Sequence, residues 1–102
     1  MKLRTVGIAA LFLSLPACNS TERQAQEAIR ETLKDPDSAQ FRRFEVKGNK
    51  ACLEVNAKNS FGGYVGFRTA FLERDKDGKW DGYADSSGLL DFDYCLKDLD
   101  KA

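Results

Sequence analysis

The feature that most limits the folding unit is a short greasy leader. Residues 6–15, VGIAALFLSL, carry no charge, and Lys2 and Arg4 stand before them. A run of about ten apolar residues is too short to cross ~30 Å of hydrocarbon as a helix, and its basic start suits a secretory signal peptide. The expectation is therefore that residues 1–17 are removed and residues 18–102 fold as one small domain outside the cytosol. About 85 residues lie near the size at which a core alone is marginal and a covalent staple helps.

The leader closes on Leu15-Pro16-Ala17-Cys18. This resembles the bacterial lipoprotein lipobox, in which a small residue precedes an invariant cysteine. Leu15, Ala17 and Cys18 match, and Pro16 stands where a small or aliphatic residue is usual. The resemblance implies that Cys18 is acylated and tethers the mature amino terminus to a membrane, each buried methylene contributing ~0.8 kcal/mol. Asn19 follows, with no Asp retention signal. By analogy with Gram-negative lipoproteins, this implies an outer-membrane protein facing the periplasm. A plain soluble periplasmic or secreted form is the alternative.

With Cys18 acylated, Cys52 and Cys95 remain, an even pair in an oxidising compartment. A disulfide between them closes a loop of about 44 residues, for which chain entropy gives roughly 4 kcal/mol. Two buried free thiols are the other possibility. The chain has no His, and two cysteines make half a zinc ligand set, so no metal and no cofactor are expected.

Charge narrows the partners. The chain has 16 basic and 16 acidic residues, and loss of Lys2 and Arg4 with the leader leaves 14 against 16. A near-neutral, slightly acidic balance argues against nucleic acid as a partner, since phosphate binding needs a basic face. From Asp75 onward there are eight Asp and four Lys, a solvated acidic surface or a dock for a basic partner.

Hydrophobic spacing gives the elements. Thr21 to Lys34 reads as a helix capped by Asn19 or Ser20, with Ala25, Ala28, Ile29, Thr32 and Leu33 on one face. Its narrow, alanine-rich stripe suits close packing on a sheet. Pro36 ends it, and Asp37 or Ser38 suits the cap of a short turn. Phe44 and Val46 alternate with Arg43, Glu45 and Lys47, and Gly48-Asn49 marks a hairpin. Ala51, Leu53, Val55 and Ala57 share one face of the next strand, opposite Cys52, Glu54 and Asn56. Val65, Phe67, Thr69 and Phe71 alternate in a third, and Asp77-Gly78 turns into a fourth near Trp80 to Ala84. Leu89, Phe92, Leu96 and Leu99 fall at helical spacing with Cys95 beside them, so a closing helix is expected from Ser87. The predicted fold is α+β: an N-terminal helix, three to four antiparallel strands and a C-terminal helix, in two layers, with one disulfide.

Two stretches carry a second resemblance: LKDPDSAQFR (residues 33–42) and CLEVNAKNSFGGYVGF (residues 52–67). They are similar to a group of short, uncharacterised exported or lipoprotein-type sequences of Gram-negative bacteria and their phages. The resemblance spans roughly residues 25–72. It implies a shared small fold and an envelope location, and it supplies no activity.

Three places offer chemistry. The loop from Asn56 to Phe67 gathers Asn56, Asn59, Gly62, Gly63 and Tyr64. Its glycines permit positive φ and close backbone approach to an anion, glycan or peptide strand. The alternative is a hairpin connection whose amides bond to local backbone. Glu73, Asp75, Asp77 and Gly78 mimic the start of a calcium loop, but Ala84 stands where a bidentate Glu is required, so a hairpin tip is expected. Catalysis lacks its commonest acid–base group, His, and neither later cysteine lies in a CxxC motif. The expectation is a non-enzymatic envelope lipoprotein, held to the membrane at Cys18, that binds another envelope protein through the Asn56–Tyr64 loop, the adjacent sheet face or the acidic tail, with Asn56, Asn59, Gly62, Gly63, Tyr64 and Arg68 as the candidate contact residues. A glycan- or calcium-binding module and a periplasmic enzyme inhibitor are the alternatives.

Overall fold

The computed structural model describes the backbone of residues 16–101 and the side chains of residues 20–101. The leader residues 1–15 and the Cys18 side chain expected to carry the lipid lie outside the described residues. The elements are α1 (Pro16–Arg30), a 3-10 turn (Pro36–Ser38), β1 (Gln40–Lys47), β2 (Lys50–Asn56), β3 (Arg68–Arg74), β4 (Trp80–Ala84) and α2 (Phe92–Leu99). The strands form one antiparallel sheet in the order β1-β2-β3-β4. The α+β class and the helix–sheet–helix order are those read from the sequence. So is the Cys52–Cys95 disulfide, with its Cα atoms 6.0 Å apart.

The layering differs from expectation. Period-two alternation sends Ala51, Leu53 and Val55 of β2, with Ala70 and Leu72 of β3 and Trp80 of β4, to one face. There they form a buried cluster with Ala25 and Ile29 of α1. Cys52 and Phe71 point the other way and pack with Phe92, Cys95, Leu96 and Leu99 of α2. The two helices thus lie on opposite faces, and the domain has three layers rather than two. Full burial of β2 required this, because its residues 51 to 55 alternate apolar with polar yet all are buried.

Four element boundaries also shift. α1 begins at Pro16, so Asn19 and Ser20 lie inside it and not at its cap. It ends at Arg30 and not at Lys34. There Thr32 N–H and Oγ both turn back to the Ile29 carbonyl, at 2.9 and 2.7 Å, and tighten the last turn before Pro36. β3 begins at Arg68, leaving Val65 outside the sheet and 46 % exposed. α2 begins at Phe92, capped by the Asp91 carboxylate on Tyr94 N–H. Ser87 and Leu89 are therefore loop residues, and Leu89 is exposed. In the 3-10 turn Ser38 closes rather than caps, its Oγ donating to the Asp35 carbonyl at 2.8 Å.

β1 carries a bulge at Arg43, which takes φ 56° while the register shifts between Arg42 and Phe44. The extra residue lets Phe41 and Phe44, three apart, both face α1. Arg42 and Arg43 meanwhile reach the α2 side. Their guanidinium groups lie 3.0 and 3.9 Å from the buried Glu54 carboxylate. Each also stacks 3.9 Å from a ring centroid, Arg42 on Phe67 and Arg43 on Phe92.

Candidate functional site

Strand pairing arranges the α2 face in cross-sheet rows. One runs Lys47–Lys50–Glu73–Asp81 and the next Glu45–Cys52–Phe71–Tyr83. α2 packs chiefly on β2, with less contact to β3 and β1. The β4 side of this face is left open. There Phe71 stacks on Tyr83, ring centroids 5.6 Å apart, and meets Tyr94 of α2 edge-on at 6.1 Å. Tyr83 and Tyr94 are 54 % and 55 % exposed. The rings hold one another in offset and T-shaped geometry, each such pair contributing ~0.5–1.5 kcal/mol beyond its buried area.

The β3–β4 turn sets this pairing. Asp75 accepts Gly78 N–H and donates its own N–H to the Lys79 carbonyl, both at 3.0 Å, and Gly78 takes φ 86°. That is a three-residue turn, Lys76-Asp77-Gly78, with glycine in the left-handed position. A two-residue turn at Asp77-Gly78 would have set Ala84 opposite Phe71; the longer turn sets Tyr83 there. The same register puts Glu73 directly across from Asp81. Neither carboxylate has a cation within ion-pair distance among the described residues. The aromatic triad escaped sequence reading because Tyr83 and Tyr94 meet only through this turn length and the position of α2. The one signal for it was the alternation that puts Phe71 on the α2 side.

The residues singled out from sequence are placed differently. Asn56 Oδ1 accepts Gly66 N–H at 2.9 Å, and Asn59 Oδ1 accepts the N–H groups of Phe61 and Gly63 at 2.9 and 3.2 Å. Tyr64 Oη donates to the Ser38 carbonyl at 3.0 Å. Both amide oxygens thus serve the loop itself. Gly62 takes φ 85°, and open space surrounds both Gly62 and Gly63. Arg68 is not part of that cluster; its guanidinium donates to the Ser86 carbonyl at 2.6 Å and fastens the β4–α2 loop. The tip of the 56–67 loop presents Phe61, 96 % exposed.

The acidic tail is largely engaged. Asp98 and Asp100 pair with Lys50 and Lys47, each at 3.4 Å. Asp75 Oδ1 accepts Asp77 N–H and Lys79 N–H, each at 2.9 Å, so the calcium-like stretch is a hairpin tip. No three metal-ligating side chains come together among the described residues. Asp85 is buried at the head of the β4–α2 loop. Burial pushes its carboxyl up, but hydrogen bonds from Ser87 Oγ and the backbone N–H groups of Leu90, Ser87 and Gly88 outweigh this and hold it below its ordinary 3.8.

A broad depression runs around the β4 edge, lined by Ala28 and Thr32 from the α1 side and by Phe71 and Tyr83 from the α2 side. Residues on opposite sheet faces cannot line one chamber, so it is two surfaces meeting at an edge. Fold and site together define a small disulfide-stapled α+β domain with an aromatic, acid-flanked sheet face. Comparison with known protein families, curated proteins and solved structures finds no match for the chain.

Proposed function

We propose that this protein is an envelope lipoprotein that works by binding another envelope protein rather than by catalysis, with the Phe71–Tyr83–Tyr94 face as its contact surface. The observation that carries the reading is the exposure of two tyrosines locked by their neighbours on the part of the sheet face that α2 leaves open. Rigid aromatics give large contact area at low entropy cost and are enriched among residues that dominate interface energy. The leader and Cys18 support export and tethering, which would fix the domain at a membrane surface. In this reading the loop residues Asn56, Asn59, Gly62 and Gly63 shape the chain, and Tyr64 and Phe61 offer a secondary contact.

A photo-crosslinking residue placed at position 83 or 94 in cells tests the surface. A discrete adduct from these positions, with none from position 27 on the exposed side of α1, is the expected result. Adducts from position 61 alone would move the contact to the loop, and adducts from no position would end the binding reading. Intact mass of the membrane-extracted chain tests the tether: acylation at Cys18 is expected, and an unmodified soluble chain would remove it.

A further inference from the structure

The α2 face solves the same local problem at one end and leaves it unsolved at the other. Beside Phe67 and Phe92, guanidinium groups stack on rings and turn to a carboxylate, Glu54. Beside Phe71 and Tyr83, two carboxylates flank the rings, and no guanidinium stacks on either ring among the described residues. Glu73 and Asp81 face each other across β3 and β4. The bonds Asp75 N–H to the Lys79 carbonyl and Asp85 N–H to the Thr69 carbonyl set which pairs exchange both bonds, and the 73·81 pair is one of them. Like charges directly opposite are destabilising. The nearest lysine in the row, Lys50, is drawn 3.4 Å from Asp98.

We infer that the open half of this face receives an arginine-bearing segment of a protein partner, whose guanidinium lies over Phe71 and Tyr83 and turns to Glu73 and Asp81. The inference rests on the reading of this face as a protein-binding surface and names the chemistry of its occupant. Arginine fits better than lysine because its planar fork stacks on a ring and bonds a carboxylate at once. Occupation would also relieve the Glu73–Asp81 repulsion, so the face is less stable empty than filled.

The test uses the intact chain, isotope-labelled and purified from cells in detergent, titrated with acetyl-Gly-Arg-Gly-Arg-Gly-amide and with the same peptide carrying citrulline for arginine. Saturable amide shifts confined to residues around 71, 73, 81, 83 and 94 are expected with the arginine peptide. Citrulline keeps the shape without the charge and should weaken binding about fivefold or more. Asp81→Asn should weaken it about two- to fivefold while leaving the urea midpoint unchanged or higher, a combination that simple loss of structure cannot produce. Equal binding of the citrulline peptide would overturn the inference and leave the aromatic face standing as a contact surface. Shifts centred elsewhere, or no shifts while crosslinks still form at position 83, would overturn it in the same way. Absence of crosslinks would remove the underlying reading instead.

Discussion

Replacing Cys52 and Cys95 together by alanine should unfasten α2 before it unfolds the sheet. The two sulfurs join residues 43 apart in sequence, and releasing that constraint gives the unfolded chain about 4 kcal/mol of loop entropy. The domain's whole stability is of order 5–15 kcal/mol. α2 has eight residues, well below the ~12–15 at which an isolated helix becomes even marginal. Its other buried anchors are Phe92 and Leu99, 4 % and 6 % exposed. α1 and the cluster beneath it share no anchor with α2. Urea unfolding followed by the single tryptophan, Trp80 on the α1 face, reports the global transition, and hydrogen exchange of residues 95–99 reports the helix. With a slope of about 1 kcal/mol per molar urea, the midpoint should fall by roughly 4 M. The α2 amides should lose protection ahead of those of β2 and β3. A midpoint change under about 1 M, or α2 amides as protected as those of β2, would refute the staple argument.

Three further outcomes follow from particular contacts. Asp81→Lys should raise stability by about 0.2–1 kcal/mol in denaturant titration, because it turns the opposed Glu73–Asp81 pair into an attractive one. Gly82→Ala should cost about 1–3 kcal/mol by the same assay, since an added Cβ would collide with the Phe71 carbonyl and the Leu72 side chain. Asp85 has a depressed folded value, so its contribution is fully present above the ordinary carboxylate value of 3.8 and is lost as pH falls through the lower folded one. Asp85→Asn should flatten the acid limb of a stability–pH profile in that window, and an unchanged limb would dismiss the carboxylate's role.

Much of the fold was legible because its signals are local. Alternation in residues 51–56 and 68–74, glycine at Gly48 and Gly78, and the cysteine pair each act over a few residues or through one bond. The misjudged parts depend on what is distant. The two-layer expectation gave the sheet one inner face, because alternation set Ala51, Leu53 and Val55 opposite Cys52 and Glu54. The disulfide and the Arg42–Glu54 pair make that side an interior. The bulge at Arg43 breaks the period that alternation relies on, so Phe41 and Phe44 did not read as one set. Ser87 resembles a helix cap in sequence, but Asp85 takes its hydroxyl and leaves the capping to Asp91. The Phe71–Tyr83–Tyr94 cluster was invisible for a similar reason: Tyr83 reaches Phe71 through a turn one residue longer than Asp77-Gly78 suggests.

The kink at Arg43 has a bearing on crowding. A sheet with two flat borders invites other copies to add their own strands, and a surface that concentrates molecules in two dimensions sharpens that hazard. Here the β1 border is interrupted by the bulge at Arg43 and carries the exposed Arg42, Arg43 and Lys47. That border offers no unbroken ladder to a neighbour. On that side, crowded copies of this chain would meet a broken, cationic rim in place of a template for a further strand.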